Sequence, residues 1–228
     1  YHFNDQLVRY RAKGKLANLE NVVDEHIGVA SSTGLGHTRW ATHGAPTENN
    51  AHPHTDCSGE IVVVHNGIIE NYSALKQELT AKGHVFASET DTEVLAHLIE
   101  ECLQGDLVAA VRTALSRVEG SYAIGVLWAK EPELLVAARN HSPLVMGVSP
   151  EACYIASDIP ALLPYTREVI FLDDQEMAIL RRGSYSIVQI EDGSPLKKSI
   201  SVIDWNAAMA EKAGYRHFML KEIFEQPQ

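Results

Sequence analysis

The sequence predicts an α+β domain with mostly antiparallel sheets. Between residues 71 and 120, apolar positions recur at helical spacing, and from Ser121 onward the pattern shortens to β-rich runs separated by Gly, Pro, Asp and Ser. The order of strand, then helices, then many strands favours layered packing over alternating βαβ units.

Taken along the chain, residues 27–30 are a weak strand candidate, and 61–64, all Ile or Val, form a stronger one. Asn71 can cap a helix whose Tyr72, Leu75 and Leu79 share a face, with Gly83 at the left-handed stop. Thr90 and Glu93 read as a capping box ahead of Val94, Leu95, Leu98, Ile99 and Cys102. Asp106 opens a third helix, which Gly120 closes. Strands are then expected at 122–128, 134–138, 144–148, 152–156, 169–172, 177–180 and 185–190. Residues 205–214 are alanine-rich and compatible with a helix. Residues 215–228 read as an exit segment, so the domain proper spans 1–214. Both ends look cut, since no methionine begins the chain and a proline-bearing stretch ends it.

Composition narrows the class. A net charge of −11 argues against a nucleic-acid or anionic-membrane partner, which would call for a basic face. No apolar run approaches the roughly 18 residues of a membrane span. Cys57, Cys102 and Cys153 are scattered and form no C-x-x-C, so a reducing cytoplasm is expected, with no disulfide framework and no zinc ribbon.

The richest chemistry lies between Gly36 and Gly67. Arg39 offers a planar fork for a carboxylate, beside Trp40, Thr42 and His43 on a glycine-bounded loop able to close over a ligand. Asn66-Gly67 reads either as a hairpin turn or as an oxyanion-stabilising donor pair, in which one lost donor costs about 2.7 to 4 kcal/mol. A helix signal rather than a partner strand follows it. Asp91 reads first as an acid favoured by a helix N-terminus, and second as a partner for an ammonium group. Five histidines, His37, His43, His52, His54 and His65, invite a metal. Their spacing does not, because His52 and His54 should point to opposite sides of an extended backbone, and no metal is expected. All three cysteines read as structural or incidental.

Residues 36–44, 50–54, 64–71 and 88–93 together resemble the glutamine amidotransferase domain of the glucosamine-6-phosphate synthase family, class II (N-terminal nucleophile) enzymes, and the likeness runs through nearly the whole chain. The resemblance implies a four-layer α/β/β/α sandwich of the N-terminal nucleophile hydrolase type. It implies a cytoplasmic transferase of hexosamine biosynthesis that needs no cofactor. Glutamine is hydrolysed, and the ammonia passes to fructose 6-phosphate in a sugar isomerase region of a homodimeric enzyme. By position, Arg39 holds the α-carboxylate of glutamine and Asp91 its α-ammonium, reversing the preference for a simple cap. Trp40, Thr42 and His43 lie on the closing loop, Asn66 and Gly67 form the oxyanion hole, and His52 and His65 support them. The family's nucleophile is an N-terminal cysteine whose α-amine is the general base. This chain begins at Tyr1, so it is expected to be an inactive fragment without its first strand, the alternative being a non-catalytic glutamine-binding or regulatory module.

Overall fold

Helical periodicity between residues 71 and 120 does become three helices, and the long β-rich remainder becomes two sheets. The structure is a computed structural model that describes residues 1–3, 6–23, 31–39, 44–204 and 223. Its elements are β1 (His2–Phe3), β2 (Gln6–Leu7), α1 (Leu16–Val23), β3 (His54–Thr55), β4 (Ile61–Ile69), α2 (Tyr72–Ala81), α3 (Thr92–Cys102), α4 (Leu107–Leu115), β5 (Gly120–Trp128) and β6 (Leu135–Asn140). They continue with β7 (Val145–Val148), β8 (Cys153–Ala156), β9 (Glu168–Phe171), β10 (Glu176–Arg181), β11 (Ser184–Gln189), β12 (Pro195–Leu196) and β13 (Ser201–Val202). Trp40, Thr42, His43, the strand candidate at 27–30 and nearly all of 205–228 lie outside the described residues.

Helix ends follow local chemistry, with informative exceptions. At the end of α2, Gly83 has φ +100°, its N–H donates to Thr80 O and the His84 N–H to Leu79 O, a Schellman stop. Asp106 caps α4 by accepting from Ala109 N. Asn71 flanks α2 without capping it, because its side chain bridges Arg117 O and Glu119 N instead. The Thr90 capping box does not form. Thr90 Oγ1 pairs with buried His54, and Glu93 accepts from Ala87 N and Ser88 N, further back in the chain. Gly120 does not close α4 but opens β5, where a Cβ would overlap Ile68 O.

Apart from the two-stranded pair β1-β2, the larger sheet has seven strands in the order β12-β11-β10-β6-β5-β4-β3, and the smaller has four in the order β13-β9-β7-β8. Every strand pair is antiparallel. Period-two alternation then builds two cores. On β5, Tyr122, Ile124, Val126 and Trp128 face the helices, packing with Val63 and Ile69 of β4, Leu79 of α2, Leu95 and Ile99 of α3 and Val111 of α4. Ala123 and Leu127 face the smaller sheet, against Met146 and Ile170. Each large side chain buried this way contributes about 1.5–3 kcal/mol.

The result is an α+β sandwich of helices, seven-stranded sheet and four-stranded sheet. Beyond the smaller sheet, Leu162, Ile159 and Ile203 close a third cluster on Val145 and Val169; among the described residues this outer layer is loop and one 3-10 turn.

The strand expected at 61–64 runs on to Ile69, pairing His65 with Ile124 and Gly67 with Tyr122. The hairpin reading of Asn66-Gly67 is thereby corrected: both residues lie inside β4, paired with β5 and beyond the reach of the short β3. Local sequence could not show this, because the partner that extends β4 lies more than fifty residues away.

Candidate active site

β4 alternates across the sheet, so His65 points toward α3 and Asn66 toward the opposite face. At this end of the strand a cavity of about 160 Å³ is lined by His37, Thr38, Arg39, His52, His65, Asn66, Gly67, Thr90, Asp91 and Thr92. A second cavity, about 370 Å³, lies between the sheets along β8, and His37, Thr38, His65 and Asn66 line both.

His37, His65, Asp91 and Arg39 are each held by a traceable partner. His37 Nε2 lies 2.8 Å from Asn66 Oδ1; that oxygen can only accept, so the imidazole carries its proton on Nε2 and fixes which end of the carboxamide is the donor. Burial lowers the His37 pKa, partly offset by this bond, which keeps the ring neutral. His65 Nε2 donates to Ser121 O at 3.3 Å and Nδ1 accepts from Thr92 Oγ1 at 2.9 Å, and burial lowers its pKa as well. Asp91, buried at the head of α3, accepts from Ile69 N at 2.9 Å, which ties the carboxylate to β4.

Gly67 has φ +131°, and a Cβ there would overlap the Ser121 carbonyl, so this backbone excludes every other residue.

Arg39 donates to Gly44 O and Ala45 O at 3.1 and 3.2 Å, tying it to the far end of its own loop. Asn50 clamps that loop to the segment ahead of Asp91: its Nδ2 donates to Ala45 O and Glu89 Oε2, and its Oδ1 accepts from Glu89 N.

The histidines form a neutral cluster. His52 and His54 were expected on opposite sides of an extended backbone, yet their rings lie 5.0 Å apart, edge to face, and His52 lies 4.0 Å from His37. The strand rule does not reach His52, which sits in a bend before β3 begins. Burial lowers both pKa values, that of His54 to about 4. No cysteine lines the 160 Å³ cavity, and burial raises the pKa of Cys57, Cys102 and Cys153 alike.

Comparison with known proteins decides the family. The model of the glutamine amidotransferase domain matches residues 37–164, more than half of the chain. The chain belongs to the glutamine amidotransferase domain family. This is a family of enzymes, and the curated relatives carry the same chemistry in their names. The glutamine–fructose-6-phosphate aminotransferase (isomerizing) of Thermococcus kodakarensis is 56% identical over 87% of the chain, and that of Clostridium tetani 51% identical over 98%. The chain spans about a third of their length, 33% and 36% respectively. Among solved structures, the glutamine phosphoribosylpyrophosphate amidotransferase from B. subtilis superposes with a TM-score of 0.57 at 27% identity, over 68% of this chain and 34% of its own.

Of the amidotransferase residues expected from sequence, the fold brings Arg39, Asn66, Gly67 and Asp91 to one cavity, together with His52 and His65. Sequence reasoning missed His37 as the residue that orients Asn66, and the Asn50–Glu89 clamp. The signal for His37 was its place in the glycine-bounded loop that carries Arg39; Asn50 and Glu89 carry no local signal, because they meet only in the folded chain.

Proposed function

We propose that this domain binds glutamine in the 160 Å³ cavity and, in the longer protein, hydrolyses it to supply ammonia. The observation that carries this reading is the convergence of Arg39, Asp91, Asn66 and Gly67 on one small cavity from three separate segments. Glutamine is a zwitterion with a neutral amide tail. A guanidinium pairs with its α-carboxylate and a buried carboxylate with its α-ammonium, leaving the amide carbonyl to reach the donors of Asn66 and Gly67. The loop bearing Trp40, Thr42 and His43 closes over the substrate. Hydrolysis follows the N-terminal nucleophile route: a thiol gives its proton to the α-amine of its own residue and attacks the amide carbon, while Asn66 Nδ2 and the Gly67 N–H hold the oxyanion. The proton passes to the amide nitrogen as the C–N bond breaks and ammonia leaves, and water cleaves the resulting thioester to glutamate and free thiol.

In this reading the thiol is that of an N-terminal cysteine in the longer protein, and Cys57, Cys102 and Cys153 play no part in the cavity. Ammonia then passes to fructose 6-phosphate in a sugar isomerase region of a homodimeric, cytoplasmic enzyme, giving glucosamine 6-phosphate; the names of the curated relatives support this acceptor. Among the described residues no helix is long and apolar enough to cross a membrane. The second reading is a glutamine-binding module without turnover.

Calorimetry and an ammonia-release assay test both readings. Glutamine binds the 228-residue chain, and Arg39→Ala and Asp91→Asn each weaken it about 10- to 100-fold, as expected for lost charged hydrogen bonds. Unchanged affinity in both variants refutes the pocket assignment. Ammonia release by a chain extended to an upstream cysteine, and none by the 228-residue chain, favours the enzyme; turnover by the shorter chain refutes the nucleophile assignment.

A further inference from the structure

Outside the glutamine cavity, four side chains from three separate segments converge. Cys57 sits in the turn between β3 and β4, His84 follows α2, and His97 and Glu100 lie one turn apart on α3. Cys57 Sγ lies 3.6 Å from His84 Nδ1 and 3.5 Å from His97 Nδ1, and Glu100 Oε2 lies 3.1 Å and 3.3 Å from the same two nitrogens. All four donor atoms fall within 4.8 Å of one another. None of these residues lines the 160 Å³ cavity.

We propose that Cys57, His84, His97 and Glu100 form a tetrahedral binding site for a divalent soft or borderline metal ion, zinc being the natural occupant. The distances are those of such a site. Zinc–nitrogen and zinc–oxygen bonds of about 2.0–2.1 Å and a zinc–sulfur bond of about 2.3 Å place tetrahedral ligand atoms roughly 3.3–3.6 Å apart. A thiolate with two imidazoles and one carboxylate is a zinc donor set, and hard magnesium or calcium would want oxygen alone.

The outward-facing ring nitrogens complete the argument. His84 Nε2 lies 3.2 Å from Glu101 Oε2 and His97 Nε2 3.8 Å from Glu93 Oε1. Glu101 behind His84 holds a proton on Nε2 and turns the Nδ1 lone pair inward, the arrangement that supports metal-bound histidines, while Glu93 stands behind His97 beyond hydrogen-bond distance. The inward lone pair of His84, a second imidazole nitrogen, a carboxylate and a thiol then converge on one point. A cation at the centre resolves that crowding of negative charge. On binding, the Cys57 S–H bond breaks, the proton passes to solvent and the sulfur bonds the metal, with no change of oxidation state.

With four protein ligands the site is closed, and its role is structural. It clips the β3–β4 turn and the segment after α2 to α3, the helix that Asp91 precedes and Thr92 begins. Sequence reading set metal chemistry aside on the spacing of His37, His43, His52, His54 and His65, and read Cys57 as structural or incidental. The converging donors are a different set, and only His97-x-x-Glu100 is local enough to be read from spacing.

The test uses the purified 228-residue chain loaded with zinc or cobalt and then dialysed. One zinc per chain is retained, and cobalt gives intense tetrahedral visible bands with a near-ultraviolet thiolate charge-transfer band. Zinc at about 100 times its Kd raises Tm by roughly 5–10 °C. Cys57→Ser, a change at an exposed side chain, loses the charge-transfer band and the Tm response, and Glu101→Gln weakens zinc binding about 10- to 100-fold. Weak octahedral cobalt bands, no retained zinc, or a Cys57→Ser variant that binds as well as the parent would each overturn the proposal and leave a hydrogen-bonded ion cluster.

Discussion

Acid should loosen the glutamine cavity before it unfolds an average domain, because the histidines around it are folded in their neutral form. His54 is the best placed for a calculation. It is 2% exposed, its Nε2 meets Thr90 Oγ1 at 3.0 Å, and burial with help from Arg11, Arg39 and Arg9 brings its pKa from 6.5 to about 4, against the opposing pull of Glu93. The unfolded chain therefore takes up a proton below about pH 6.5 that the folded chain refuses until about pH 4. Stability from this group is complete above the unfolded value and lost as pH falls through that window. Between pH 7 and pH 5 the loss is about 2 kcal/mol from His54 alone, at roughly 1.4 kcal/mol for each pH step over which the two states differ by a full proton. For a chain of this size that lowers Tm by about 4–8 °C, and His37, His52 and His65, all lowered by burial, add to it. The assay is thermal melting of the parent and of His54→Gln across this range, where the variant keeps a hydrogen-bonding side chain and loses part of the slope. Identical pH slopes in the two proteins, or a His54 imidazole that titrates near 6.5 by NMR in the folded state, would refute the reasoning.

Gly67→Ala should cost about 2–5 kcal/mol, from a positive φ and from overlap with Ser121 O, and chemical denaturation reads this directly; a loss under about 1 kcal/mol would show that the strand end yields easily. In the longer protein, Asn66→Ala should lower kcat about 100- to 1,000-fold with little change in KM, and an unaffected kcat would remove Asn66 from the oxyanion site. His37→Ala should lower kcat less, because the carboxamide of Asn66 remains but is no longer oriented through its Oδ1. Asp106→Ala should cost about 1 kcal/mol through the lost cap on Ala109 N, with no effect on glutamine affinity.

Helix and strand identity between residues 61 and 190 could be read from spacing, because apolar periodicity and turn residues act over a few positions. Gly83 and Asp106 did what their local chemistry suggested. Thr90 did not: a buried histidine from β3 offered its hydroxyl a better partner than the helix N-terminus. The pairs 2–3, 6–7, 54–55, 195–196 and 201–202 were too short to stand out, and α1, whose Leu16, Leu19 and Val23 do recur at helical spacing, went unread and buries no residue.

The functional groups divide along the same line. Arg39, Asn66, Gly67 and Asp91 were identifiable as residue types in their motifs, since a guanidinium, an amide, a glycine and a carboxylate carry their chemistry with them. Whether Asn66-Gly67 was a turn or part of a strand depended on β5, more than fifty residues further on. The Asn50 clamp, the neutral histidine cluster and the convergence of Cys57 with His84, His97 and Glu100 depended on packing in the same way. Periodicity is a property of neighbours in the chain, and these sites are made by neighbours in space.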